Sequence, residues 1–282
     1  MSRVRIFTDS TSDLGAELLR QHEIGVVPLY VVFEDETYQD GVTMHAERLF
    51  QRVAETGKLP KTAAPSPADF EHAFRPVIEA GDDIVYIGLS SEVSSTYQNA
   101  KIAADAFPEG RITVIDSRSL STGIGMLVLT AAEAAEQGKS AAEIQSIVEG
   151  MIPKIDVEFI IDTLEFLHKG GRCSSLQHFI GSLLKIRPVV KVIDGAMTLT
   201  DKVRGKREKV LAQLLDNALA NKDDMNTSFM FVTHAKAAEE AHYVKRRLEE
   251  LTGMSKVYVT ETGCVISSHC GPQTVGIVYA KK

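Results

Sequence analysis

The first half of the chain alternates short apolar runs with stretches whose apolar residues recur every three to four positions. "RVRIFTD" (3–9) precedes "DLGAELLRQHE" (13–23), and "IGVVPLYVVF" (24–33) precedes "HAERLFQRVAETG" (45–57). "DIVYIGL" (83–89) then precedes "TYQNAKIAADAF" (96–107), and "RITVID" (111–116) precedes an Ala-rich helical stretch over 123–137. Runs that are apolar on consecutive residues suit strands covered on both faces, and the strand–helix rhythm predicts βαβ units around a parallel sheet. Ligands of such sheets bind beyond the carboxyl ends of the strands. Those ends are polar here: Asp9-Ser10-Thr11-Ser12, then Ser90 to Thr96 with its dense hydroxyls, then Asp116-Ser117-Arg118-Ser119.

From about residue 150 the rhythm changes. "EFIIDTLEFLHKGG" leads into "LQHFIGSLLKI", and "RPVVKVIDGAMTLTDKV" reads as two strands around an Asp194-Gly195 turn, a strong hairpin signal. "TSFMFVTH", the helical "AEEAHYVKRRLEEL" and the strands "KVYVTE" and "TVGIVYA" follow. The pattern predicts an α/β chain of two domains, a parallel-sheet Rossmann-like domain over 1–150 and a mixed-sheet α/β domain over 151–282. The Pro-punctuated "TGKLPKTAAPSPADF" (56–70) reads as a loop able to cross between them.

At 282 residues, with 44% apolar and 24% charged residues, the chain is long enough for two packed cores. A net charge of −7 gives no general attraction to nucleic acid or anionic membrane. No apolar run approaches the ~20 residues of a membrane span, and the N-terminus lacks a signal-peptide pattern, so the expected location is cytoplasmic. Three cysteines, Cys173, Cys264 and Cys270, show no CxxC spacing and suggest reduced thiols.

Four stretches carry candidate chemistry. Ser94, Ser95 and Thr96 follow a strand and open a helix, where orphan N–H groups and the helix dipole favour an anion; plain helix capping is the alternative. Thr62 lies in a loop stiffened by Pro60, Pro65 and Pro67, while Ser66-Pro67 reads as the start of the next helix. Gly170 and Gly171 allow close approach beside Arg172, whose guanidinium suits a carboxylate or phosphate, or else they end a helix beside a surface arginine. His269 precedes a Gly-Pro turn. Asp9 with Asp13 at a strand end offers carboxylates to a metal, but a D-x-D arrangement is missing, and helix capping by Asp13 is the better reading. Other templates fail: no G-x-x-x-x-G-K-[ST], no G-x-S-x-G, no histidine pair with a third metal ligand, and Val128 where a dinucleotide fingerprint from Gly123 needs glycine.

Taken together, "FTDSTSDL" (7–14), "KTAAPSP" (61–67), "LSSEVSSTYQNA" (89–100), "IDSRSLSTGIG" (115–125), "FLHKGGR" (166–172), "GSLLKIRPVV" (181–190), "KVRGKREKVL" (202–211) and "HCGPQTVGIVY" (269–279) resemble the DegV family over nearly the whole chain. Well-studied members are fatty-acid-binding subunits of bacterial fatty acid kinase. The resemblance implies a two-domain α/β fold holding one long-chain fatty acid in an interdomain tunnel, its carboxyl near Thr62 and Ser94, with Arg172 and His269 close to the head group. It further implies a non-enzymatic subunit, with no cofactor beyond the bound acid. Such a subunit presents the carboxyl to a separate Mg²⁺/ATP-dependent kinase subunit, which makes acyl phosphate for phospholipid synthesis.

The chain departs from the family's usual pattern at Ala63, where serine is common, at Ser95, where glycine is common, and at Gln273, where glycine is common. Arg204 and Arg207, in the basic stretch "DKVRGKREK" (201–209), are candidates for partner docking, as is "KRR" (245–247); a solvated helix face explains them as well. Phe166, Leu167, Phe179, Ile180, Leu183 and Leu184 are candidates for tunnel wall or ordinary core. The competing readings are a stand-alone enzyme acting on a small phosphorylated substrate through Asp9, Asp116 or His269, and a regulator that contacts nucleic acid through the basic patches.

Overall fold

The computed structural model describes residues 3–34, 36–172, 186–226 and 228–282. Strands β1 (Val4–Asp9), β2 (Gly25–Val27), β6 (Asp83–Gly88) and β7 (Ile112–Asp116) form the expected parallel sheet, in the order β2-β1-β6-β7. The chain leaves β1 toward β2 on one side and later resumes at β6 on the other. The crevice between the carboxyl ends of β1 and β6 is thus a topological switch point, the place where open α/β sheets take ligands.

The outer face of this sheet is sealed by α3 (Pro67–Glu79) and α4 (Thr96–Ala104), whose Phe70 and Phe74 pack edge-on against Tyr86 and Phe7. Helix α3 starts as its sequence indicates. Ser66 accepts from the Asp69 N–H and Asp69 reaches back to the Ser66 N–H, a capping box with Pro67 in the first turn.

A six-stranded mixed sheet follows, in the order β10-β9-β8-β13-β11-β12. Its strands are β8 (Ile155–Ile160), β9 (Ile186–Ile193), β10 (Ala196–Arg204), β11 (Met230–Ala235), β12 (Val257–Glu261) and β13 (Thr274–Ala280). Strict alternation sorts its side chains. Ile160, Val232, Val275 and Ile277 face α8 (Arg207–Leu219) and α9 (Ala238–Thr252), whereas Val157, Phe159, Phe231 and Val278 face the helix that follows β7. Asp194 and Gly195 join β9 to β10 with φ of 50° and 83°, the two left-handed residues of a tight hairpin turn. Helix α5 (Thr122–Glu136) is apolar on nearly every side because it is buried between the two sheets. Helix α6 (Ala141–Met151) ends just before β8 begins. We propose two domains, 1–150 and 151–282, which meet at the end of this helix.

Two expectations are corrected. "IGVVPLYVVF" is not one strand: Pro28, which lacks an N–H for a ladder, separates β2 from β3 (Tyr30–Phe33). Strand β3 joins a separate antiparallel sheet of order β4-β3-β5, with β4 spanning Glu36–Gln39. The stretch 56–70 is not wholly a loop either, since Lys61–Ala63 forms β5, with Thr62 opposite Val31.

Candidate functional site

Thr62 sits on β5, which is held by β3 on one edge and approached by α10 (Cys264–Cys270). Ser94 precedes α4. Arg172 follows α7 (Glu165–Gly170), which Gly171 ends in the left-handed conformation, φ 66°. His269 lies in the last turn of α10, just before the Gly271-Pro272 turn.

These four residues from four separate segments line one cavity of about 880 Å³, mouth included. Most of its wall is apolar: Leu89 and Leu120 from loops of the parallel sheet, Phe159 and Val278 from the mixed sheet, Met197 from β10 and Val265 from α10.

His269 Nε2 lies 2.9 Å from Thr62 Oγ1. Burial, and secondarily the Arg172 charge, push the imidazole down to about 4, so it is neutral at pH 7. Its Nδ1 is buried without a partner and sits against Gly170, where an added methyl would come within 2.2 Å. The tautomer that leaves no buried N–H orphaned carries its proton on Nε2 and donates it to Thr62. The Thr62 hydroxyl hydrogen is then free for the cavity. Arg172, exposed at the mouth, donates from Nη1 to the Gly170 carbonyl at 2.8 Å.

The hydroxyl cluster serves mainly to build its own loop. Ser91 donates to Asp116 Oδ2 at 2.6 Å, Ser90 Oγ accepts from the Glu92 N–H, and Ser95 makes no side-chain cap. Ser94 Oγ, which lines the cavity, accepts from the Thr96 N–H at 3.3 Å and shares a hydrogen bond of 2.8 Å with Thr96 Oγ1. Asn99 Nδ2 donates to the Pro65 carbonyl at 2.7 Å and so ties this helix to the Thr62 segment.

Asp9 is fully buried and anchors the same loop. It accepts from the Leu89 N–H at 2.9 Å, the Tyr86 hydroxyl at 2.8 Å, the Thr11 N–H and the Thr11 hydroxyl, and burial raises its pKa. Asp13 does not cap α1 (Ala16–Gln21), whose N-cap is Gly15. It accepts instead from Ser121 Oγ at 2.5 Å and the Gly263 N–H at 2.7 Å. Asp40, which sequence reasoning missed, accepts from the Cys264 and Val265 N–H groups at 2.6 and 3.2 Å. The free N-terminus of α10 is thus capped by residues more than 200 positions away, for which no local signal exists.

Of the wall candidates, Leu167 lines the cavity and Phe166 is buried against Gly271. Phe179, Ile180, Leu183, Leu184 and Cys173 lie outside the described residues. Arg204, exposed at the end of β10, and Arg207, at the start of α8, are not part of the cavity wall. Arg207 is mostly buried, paired with Glu240 at 3.2 Å and donating to the Gln273 carbonyl at 2.6 Å. In the basic run on α9, Lys245 and Arg247 pair with Glu249 and Glu250. Among the described residues, no cluster of three or more His, Cys, Asp or Glu is placed to hold a metal ion, and no helix is long and apolar enough to cross a membrane.

Comparison with known proteins bears on this geometry. A family model described as "Uncharacterised protein, DegV family" matches residues 3–282. A DegV domain-containing protein of Caldanaerobacter subterraneus subsp. tengcongensis is 34% identical over 282 residues, covering all of both chains. Among solved structures, a DegV family protein from Thermus thermophilus, reported for its fatty acid binding, has a TM-score of 0.91 at 33% identity, covering 99% of this chain and 100% of that one. DegV of Bacillus subtilis, described as a fatty acid binding protein, has a TM-score of 0.89 at 29% identity, with 100% of both chains covered. A stearic-acid-binding protein from Eubacterium ventriosum has a TM-score of 0.88 at 26% identity, covering 100% of this chain and 99% of that one. With the family matched from end to end and the fold shared throughout, this chain belongs to the DegV family.

Proposed function

We propose that the protein binds a long-chain fatty acid in the cavity between its two sheets and presents the carboxyl group to a separate ATP-dependent kinase subunit for acyl-phosphate formation. It is a cytoplasmic lipid-binding, substrate-presenting subunit that leaves the chemistry to its partner. The observation that carries the reading is the make-up of one cavity: apolar over most of its wall, with Thr62, Ser94, Arg172 and His269 brought together from four segments. Relatives of the same fold are described as fatty acid binding.

The energetics fit such a ligand. Burying about fourteen methylenes at ~0.8 kcal/mol each gains roughly 11 kcal/mol before ordering costs. An unpaired buried carboxylate would be expensive, so the Thr62 and Ser94 hydroxyls donate to it while Arg172 stands at the mouth. The tail thus supplies most of the affinity, and the polar end supplies orientation. Thr62, oriented by His269, aims the carboxyl toward the opening where a partner reaches it. Arg204 and Arg207 are candidates for that docking, Arg204 through its exposed charge and Arg207 by shaping the surface around it.

Native mass spectrometry of the protein from a bacterial host, followed by denaturing extraction, should find one fatty acid per chain. The Thr62→Ala, Ser94→Ala double variant should bind it about a hundredfold or more weakly, since hydrogen bonds to a charged group are each worth about 1.5–3 kcal/mol and two are lost. A protein that arrives empty and takes up no added fatty acid would sink the reading. The presenting role is tested separately: acyl phosphate should form from ATP only when the kinase subunit is added, and turnover by this chain alone would overturn it.

A further inference from the structure

The pairing of the mixed sheet sets the depth of the cavity. On the face that lines it, Gly276 of β13 stands opposite Phe159 of β8 on one side and Thr233 of β11 on the other. Two residues earlier, Thr274 donates to the carbonyls of Cys270 and Gly271, beside the end of α10 that carries His269. Two residues later, Val278 stands opposite Val157, and both line the cavity again. Strands rise ~3.4 Å per residue, so these three rows are spaced about 7 Å apart. A molecule with its polar end at Thr62 and His269 and its far end at Val157 and Val278 must pass over Gly276.

Nothing in the backbone demands glycine there. Its φ lies outside the left-handed region, and glycine inside a strand weakens it. The space is what it provides. A methyl group at this position would sit 3.1 Å from Phe159 Cβ and 3.3 Å from the Glu158 carbonyl oxygen, neither of which is the free end of a flexible chain. A larger side chain is therefore driven into the cavity, between Phe159 and the mutually hydrogen-bonded hydroxyls of Thr122 and Thr233.

We propose that Gly276 is a specificity-determining position, the one that keeps the cavity continuous past its polar end and so admits long acyl chains. The inference rests on the fatty-acid reading above. Its test is calorimetric titration of the delipidated full chain with octanoic, decanoic, palmitic and stearic acids, comparing the parent with Gly276→Ala and Gly276→Val. The valine variant should bind octanoic acid within about twofold of the parent and palmitic and stearic acids about tenfold or more weakly, with alanine between the two. Adding Phe159→Ala to Gly276→Val should reopen the space and recover part of the palmitic acid affinity. An unchanged length profile overturns the proposal. Equal loss at every length, with no recovery in the double variant, also overturns it, because Gly276 then serves only the packing of Phe159. A parent protein that binds none of the four acids instead refutes the fatty-acid reading, an outcome distinct from either.

Discussion

His269 combines a polar contact with an unusual charge state. Its imidazole is held neutral by burial and by Arg172, so it serves as a fixed donor to Thr62. That state has a cost in acid. The unfolded chain binds a proton on histidine near pH 6.5, whereas the native chain resists until about 4. The contribution to stability is therefore intact above pH 6.5 and is lost as pH falls toward 4, on the order of 3 kcal/mol at most. His269→Gln keeps an N–H within reach of Thr62 and cannot titrate. Urea unfolding of the empty protein at pH 7.5 and pH 5 should show a smaller drop in the variant than in the parent, and equal drops would mean that His269 is not the group responsible. Gln273 shows how a departure from the family's usual glycine is accommodated. It adopts φ 62°, and its side chain donates to the Lys236 carbonyl at 2.9 Å while its own carbonyl accepts from Arg207.

Helix α10 shows the same dependence on distant partners at the level of an element. Seven residues are too few to be stable alone, and its first N–H groups find their acceptors in Asp13 and Asp40. Asp40→Asn leaves one good acceptor for two donors and turns an amide N–H₂ toward the other. It should cost about 1–3 kcal/mol in urea unfolding and weaken fatty acid binding through the misplaced His269; a variant with parental stability and affinity would show that α10 is held by packing alone. The same dependence explains what sequence could and could not reveal. The strand–helix alternation, the Asp194-Gly195 hairpin and the Ser66-Pro67 helix start were readable because each is set by residues within a few positions. The helical state of "CVISSHC" was not, since its caps come from the other end of the chain. Strand β5 was hidden because its ladder partner β3 lies about thirty residues upstream and is itself set apart from β2 by Pro28. The four polar residues that line the cavity could be singled out from chemistry and family resemblance together. The walls around them could not, because a strand apolar on both faces does not reveal which face meets the cavity.

At the scale of the molecule, buried carboxylates join the segments that frame the cavity. Asp9 ties β1 to the loop bearing Ser94, and Asp13 links the end of β1 to the start of α5 and the start of α10, 108 and 250 residues away. Burial raises the pKa of Asp9, Asp13 and Asp40 alike, and for Asp13 the nearby charges of Asp40 and Asp9 add to it. An acid whose native pKa is raised stabilises the fold most below its unfolded value, near 3.9, and that stability is lost as pH rises through the native value. This runs opposite to His269, so the two effects partly offset each other in mild acid. Asp13→Asn separates them. The amide oxygen still accepts from Gly263, the N–H₂ donates to a rotated Ser121 hydroxyl, and the charge that burial opposes is gone. The variant should therefore equal the parent near pH 4 and exceed it increasingly toward pH 8, measured as the urea midpoint at each pH. A variant weaker than the parent at pH 8 would mean that the ionised carboxylate's bonds to Ser121 and Gly263 outweigh its desolvation, and that the charge itself holds the two halves of the cavity together.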